Sequence, residues 1–174
     1  MQYLVDIKRF ISFLLNNPTQ HALIISGPSG WAKTSAVRSI LGDLGAPYQL
    51  LGAYSTPLAL YNKLALGDGS CPKAGIVRGL YVLDDTHGVL TNPQALSILN
   101  AASWPSADQL GQRTVSWTSM TEKAEVPSFV FEGKLLILTN YMSSLPQARA
   151  FLSRALNCKR LCSQRLWLPK RCAG

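Results

Sequence analysis

The segment Gly27-Pro28-Ser29-Gly30-Trp31-Ala32-Lys33-Thr34 sets small residues immediately before a lysine and a hydroxyl. Small residues let consecutive backbone N–H groups converge on one point, and the head of a following helix adds partial positive charge. That is the chemistry of holding a nucleotide's phosphates. Lys33 would reach the β- and γ-phosphates, and the Thr34 hydroxyl would ligate Mg2+. The apolar run Leu23-Ile24-Ile25 supplies the strand that such a loop follows. One position departs from the pattern G-x-x-x-x-G-K-[ST], where Ala32 stands in place of the second glycine. The extra methyl fits at negative φ, whereas at positive φ it costs stability or phosphate fit. The plainer alternative is a glycine-rich turn that happens to precede a helix.

Two other apolar runs end in groups suited to the same chemistry. Leu80-Tyr81-Val82-Leu83 is followed by Asp84 and Asp85. The first carboxylate would hold Mg2+ through water together with Thr34, and the second would orient or deprotonate an attacking water. Leu135-Leu136-Ile137-Leu138 leads through Thr139 to Asn140, whose amide can donate to a γ-phosphate or to that water. Further on, Arg154 closes a helix-compatible stretch and could neutralise charge on a neighbouring subunit's γ-phosphate, with Arg149 as a rival. The plainer alternatives are a solvated turn for the acids, a cap or turn for Asn140 and a surface position for Arg154.

These groups need elements to position them. Apolar residues at Leu4, Ile7, Ile11, Leu14 and Leu15 give a helical period over Met1–Asn17 that stops before Pro18. A buried strand over Ala22–Ser26, a helix over Thr34–Leu44 and a short strand over Tyr48–Leu51 follow. Pro57 starts a helix that Leu58–Leu66 continues, and Asn92-Pro93 opens another. Strands alternating with helices predict a three-layer α/β sandwich with a mainly parallel sheet. Ligands of such sheets bind at the carboxyl ends of the strands, where Gly27, Asp84 and Asn140 all fall.

The chain of 174 residues is expected to be one domain, with 47% hydrophobic residues and a net charge of +8. No apolar run approaches the roughly 20 residues that span a bilayer. The N-terminal stretch mixes Asp6, Lys8 and Arg9 into its apolar pattern and lacks a secretory cleavage site. A cytoplasmic protein with no membrane partner is the expectation. Lys159, Arg160, Arg165, Lys170 and Arg171 make 159–174 a basic segment, suited to nucleic acid or to an acidic neighbour in an assembly. Cys158 and Cys162 have knuckle-like spacing, but no second close pair accompanies them, so reduced thiols are expected rather than a metal site.

Gly27–Thr34, Leu80–Asp85, Asn140 and Arg154, in this order, resemble the Walker A, Walker B, sensor 1 and arginine-finger positions of AAA+ P-loop ATPases. The likeness runs over roughly residues 20 to 170. Phe131-Glu132-Gly133-Lys134 and the apolar run to Asn140 are similar to the strand before sensor 1 in phage and plasmid replication ATPases and superfamily 3 helicases. The resemblance implies a P-loop sandwich, ATP and Mg2+ as ligands, and subunits assembled in a ring or filament. The departures are Ala32, Asp85 and the absence of residues for a helical lid after Arg154.

Residues 112–131 hold two β-prone runs, Arg113–Trp117 and Ser128–Phe131, about a polar stretch with Glu122, Lys123 and Glu125. They resemble the hairpin that lines the central pore of some AAA+ motors. Lys123 would touch a nucleic-acid backbone and Trp104 or Trp117 a base, with packing on a sheet face the plainer role for Trp117. The expected function is ATP-driven work on nucleic acid. Its rival is a nucleotide-dependent assembly protein whose hydrolysis is slow.

Overall fold

A computed structural model describes residues 2–52, 56–67, 75–84, 87–105, 112–118, 124–140 and 145–158. The chain begins with α1 (Gln2–Asn16), β1 (Ala22–Ser26), α2 (Lys33–Asp43), β2 (Tyr48–Leu51) and α3 (Pro57–Leu66). It continues with β3 (Ile76–Val77), β4 (Leu80–Leu83), α4 (His87–Thr91) and α5 (Pro93–Ser103). β5 (Thr114–Ser116), β6 (Ser128–Phe131), β7 (Lys134–Thr139), α6 (Pro146–Arg154) and β8 (Leu156–Asn157) complete it. The expected elements from α1 to α3, together with β4, α5 and β7, form within a residue or two of their sequence-based limits. β3, α4 and β8 carry too few residues for a periodic signal, and the structure adds them.

A parallel five-stranded sheet in the order β2-β4-β7-β1-β8 forms the centre. Its apolar strands are buried on both faces, as helices on both sides require. The two-residue period then sorts side chains between two cores. Leu23, Ile25, Leu80, Val82, Leu136 and Leu138 face α1 and α2, packing with Ile7, Ile11, Leu14, Val37 and Leu41. Ala22, Ile24, Tyr81, Leu83, Leu135 and Ile137 face α3, α5 and α6, packing with Leu60, Tyr61, Leu96, Leu99 and Phe151.

Within 112–131 the described residues form a strand pair, with β5 antiparallel to β6. It is also part of a separate three-stranded sheet, because β3 pairs parallel to β6 on the other side. Trp117 packs against Tyr61 at 5.6 Å between ring centroids, so it serves that sheet's core. Lys123 and the other residues of 119–123 lie outside the described residues. Between β6 and β7 the chain turns at Gly133. A Cβ there would stand 2.7 Å from the Gly79 carbonyl oxygen and 2.8 Å from the Phe131 ring, which only glycine avoids.

Two buried or half-buried cations pin helices to this frame. Arg113 donates from Nη1 to the carbonyls of Ala102 at 2.8 Å and Gly133 at 2.9 Å, with its guanidinium over the Phe131 ring. It thereby supplies a donor to the end of α5, whose last carbonyls lack helical partners. Burial pulls its pKa down to about 10, against the opposing pull of Glu132. Lys134 donates to the carbonyls of Leu14, Asn17 and Gln20, and so fixes the end of α1 to the start of β7. Burial lowers its pKa also, and Arg113 adds to the effect.

His21 lies beside these cations at the entry to β1. Burial disfavours its charged form and Arg113 and Lys134 repel the proton, so its pKa falls from 6.5 to about 4. Between those values the unfolded chain binds a proton that the folded chain refuses. Stability therefore rises with pH through this window and is lost as the pH falls from 6.5 toward 4. Urea midpoints measured from pH 7.5 to 4.5 should fall less steeply for His21→Gln than for the parent chain. Equal slopes would show that His21 ionises as freely in the fold as outside it.

Candidate functional site

The carboxyl ends of β1, β7 and β4 lie side by side because β7 is hydrogen-bonded to both neighbours. Ser26 pairs in register with Thr139, and Leu83 with Ile137. The three chain segments that leave these ends are Gly27–Thr34, Asn140 and Asp84. They wall a cleft of about 500 Å³ whose lining includes Ser29–Ser35, Asp84, Leu138, Thr139 and Asn140. Gly27 is tied to the sheet by its N–H, which donates to the Thr139 carbonyl at 3.2 Å.

Lys33 is the hub of the cleft. Its ammonium donates to the carbonyls of Gly27 and Pro28, both at 2.9 Å, and to Asn140 Oδ1 at 2.5 Å. An ammonium has three N–H donors, so these three acceptors match it one for one. The side chain bridges its own loop and the end of β7 while remaining only 8% exposed. Desolvation lowers its pKa, and the Asp84 carboxylate pulls the other way. The Asn140 amide in turn donates to Ser29 Oγ at 3.3 Å. On the opposite wall the Thr34 hydroxyl donates to Asp84 Oδ1 at 3.0 Å.

The backbone of the loop takes two left-handed residues. Gly30 has φ +83°, which glycine adopts without penalty. Ala32 has φ 49° and ψ 31°, so the methyl occupies the αL region, the costlier of the two possibilities open in the sequence. Ala32 is also the N-cap of α2, and it offers no side-chain cap, in contrast to Thr56 on α3 and Asn92 on α5. The first intrahelical bond runs from Ala36 N–H to the Ala32 carbonyl. The N–H groups of Lys33, Thr34 and Ser35 precede it and have no partner within the helix, which leaves them and the helix dipole directed at the cleft.

Among the residues singled out from sequence, Gly27, Pro28, Ser29, Gly30, Trp31, Ala32, Lys33, Thr34, Asp84 and Asn140 come together here. Asp85 lies outside the described residues, as does the basic segment 159–174. Arg154 is not among the residues lining the cleft. It is the last residue of α6, exposed, with its guanidinium 5.6 Å over the Trp104 ring. Arg149 is exposed on the same helix. Cys158 is buried in the core beside α1 and α2.

Tyr3 was not legible as a site residue. It lies in the first turn of α1, and its ring meets Trp31 edge-on at 5.7 Å and 85°. The signal for it is the pairing of a long helix with a short return. About 22 Å of α1 followed directly by about 17 Å of antiparallel β1 brings the head of the helix to the loop end of the strand.

No cluster of three or more metal-ligating acids, histidines or cysteines occurs among the described residues. Mg2+ does not require one, since one or two carboxylates and substrate phosphates satisfy it. Thr34 Oγ1 and Asp84 Oδ1 form a hard-oxygen pair of the right kind. No helix among the described residues is long and apolar enough to cross a membrane. No protein-family model matches this chain, and no curated protein is significantly similar to it.

The strain at Ala32 yields a direct test. An αL alanine costs about 1–2 kcal/mol, of which a glycine returns part to unfolded-chain entropy. Ala32→Gly should therefore raise the thermal midpoint by about 1–3 °C in a chain of this size. A lowered midpoint would mean that the loop holds Ala32 at negative φ in solution.

Proposed function

We propose that this chain is an ATPase of the AAA+ P-loop type, assembled from several copies and acting on nucleic acid. The observation that carries the proposal is the convergence of Lys33, Asn140, Thr34 and Asp84 on the uncapped head of α2. A lysine, a row of free amides and a helix dipole supply cationic and hydrogen-bonding groups for a triphosphate. Thr34 and Asp84 would hold Mg2+, which supplies charge neutralisation for the transferred phosphoryl group.

Each side chain then has a distinct task. Lys33 would exchange its carbonyl and Asn140 contacts for phosphate oxygens, and Asn140, once released, could orient the attacking water by its amide. Asp84 keeps Thr34 in place through the 3.0 Å hydrogen bond. Asp85, next in sequence, is the candidate base. Arg154 would act on the γ-phosphate of a neighbouring copy, leaving its perch on Trp104 to do so. The net charge of +8 and the β5–β6 hairpin support nucleic acid as the substrate on which the work is done.

One observation favours the second reading, an assembly protein for which nucleotide is a slow timer. Ala32 holds αL geometry where glycine would be unstrained, and the methyl stands in the phosphate loop itself. ATP turnover with and without single- and double-stranded DNA, with assembly state measured on the same samples, separates the two. DNA-stimulated turnover supports the motor, and assembly on ATP with no stimulation supports the scaffold.

Lys33→Ala should weaken ATP binding by roughly 10–100-fold or more, since a charge-assisted contact of about 1.5–3 kcal/mol is removed. An unchanged calorimetric titration would reduce Gly27–Thr34 to a turn. The shared site has its own test. Arg154→Ala should leave ATP binding intact and slow turnover by about 10³-fold or more, as loss of an arginine finger does. Mixing inactive Lys33→Ala and Arg154→Ala subunits should restore partial turnover, because some interfaces then hold both intact residues. Mixed assemblies that form and stay inactive would remove the shared-site model.

A further inference from the structure

We propose that Trp31, braced by Tyr3, is the platform on which the base of a purine nucleoside triphosphate stacks; this rests on reading Gly27–Thr34 as a phosphate loop. Trp31 sits inside the loop yet is 44% exposed, an unusual outlay of apolar ring on the lip of a polar cleft. Trp31 is among the residues that line the same cleft as Lys33 and Thr34, so a ligand held at the phosphates passes beside it. In an edge-to-face pair each ring keeps at least one face clear of its partner, and Tyr3 and Trp31 form such a pair.

The brace is rigid for a reason found at the opposite end of α1. Lys134 binds the carbonyls at the end of α1 and beyond, including Asn17 at 2.7 Å, so the helix is anchored to β7. Along the intervening turns Ile7, Ile11 and Leu14 are fully buried and hold one face of the helix to the core. Tyr3 is thus carried on a fixed rod to the first glycine of the loop. A Cβ built on Gly27 would lie 4.0 Å from both the Tyr3 hydroxyl and the Trp31 ring. The two aromatics therefore flank the point where the loop leaves β1. The cleft, at about 500 Å³, has the size of a site for a whole nucleotide rather than a bare phosphate.

Stacking recognises a π-face and not the hydrogen-bonding edge of a base. Adenine and guanine should accordingly be held alike, and the smaller face of a pyrimidine less well.

The test compares ATP, GTP, UTP and inorganic tripolyphosphate, each with Mg2+, by calorimetry on the full chain. Trp31→Ala should weaken ATP and GTP by about tenfold, the effect of one lost base stack, and leave tripolyphosphate unchanged. Trp31→Phe should recover most of the loss. Thermal midpoints of all variants establish that each is folded. Equal weakening of ATP and tripolyphosphate in Trp31→Ala would show that the indole only shapes the loop, and overturns the proposal. So does unchanged ATP affinity in Trp31→Ala while Lys33→Ala loses both ligands, a result that leaves the phosphate loop standing. A parent chain that binds neither ATP nor tripolyphosphate overturns the phosphate-loop reading itself, and the platform with it.

Discussion

Strand β7 is the constraint on which the other parts depend. Its apolar residues from Leu135 to Leu138 are buried on both faces, and it is hydrogen-bonded to β1 on one side and β4 on the other. A one-residue slip would exchange the faces of Leu135 and Leu136 and set Asn140 out of line with the loop. The register is therefore fixed by two cores at once. At the amino end, Lys134 secures the end of α1; at the carboxyl end, Asn140 meets Lys33. One strand thus transmits position from the packing of a helix to the geometry of a polar cleft. The same strand sets the loop itself, through the Thr139 carbonyl that accepts from Gly27.

Three buried or half-buried cations among the described residues, Arg113, Lys134 and Lys33, are satisfied mainly by carbonyls rather than carboxylates. Arg113 binds Ala102 and Gly133, Lys134 binds three carbonyls at and after the end of α1, and Lys33 binds two within its loop. Unpaired buried charge is expensive, and carbonyl dipoles at helix ends and turns compensate it without introducing a second ion to desolvate. The arrangement has different consequences at the three places. At Arg113 and Lys134 the acceptors lie at helix ends and in turns beside the strands, and none lines the cleft, so the contacts are structural. At Lys33 the acceptors belong to a loop and to an exposed asparagine, so an anion offering better acceptors can replace them.

Much of this was legible because the sequence carries strong local signals. The apolar runs before Gly27, Asp84 and Asn140 each form a strand of the central sheet, and the rule that ligands sit at their carboxyl ends brings the three sites together. Thr56-Pro57 and Asn92-Pro93 were readable as helix starts because the cap and the proline act within one turn. The three-stranded sheet was only half readable. The β5–β6 hairpin is local, whereas β3 reaches β6 across some fifty residues and consists of Ile76 and Val77 alone. β8 is equally short, with Leu156 and Asn157 completing the edge beside β1. Nothing local in such dipeptides distinguishes a strand from a loop. The self-contained hydrogen bonding of Lys33 was hidden for another reason: side-chain partners depend on loop dihedrals that the residue types leave open.

Ala32 shows how the fold and the site compete for the same residue. The chain must turn from β1 into α2 within a few positions, and it does so through left-handed geometry at Gly30 and again at Ala32. The second of these is uncomfortable for alanine, and no side-chain cap offsets it. What the geometry secures is a helix start whose first amides face the cleft. A serine or aspartate cap at that position would satisfy those amides locally and remove them from any ligand. The loop therefore trades local stability for unsatisfied donors. Lys33 limits the cost, since its contacts to Gly27, Pro28 and Asn140 cross-link the strained loop to the sheet. On the proposed reading, phosphate then competes directly with the cross-link, and ligand binding is coupled to release of Asn140 from Lys33. Such coupling needs no moving domain, only one ammonium with a choice between two sets of acceptors.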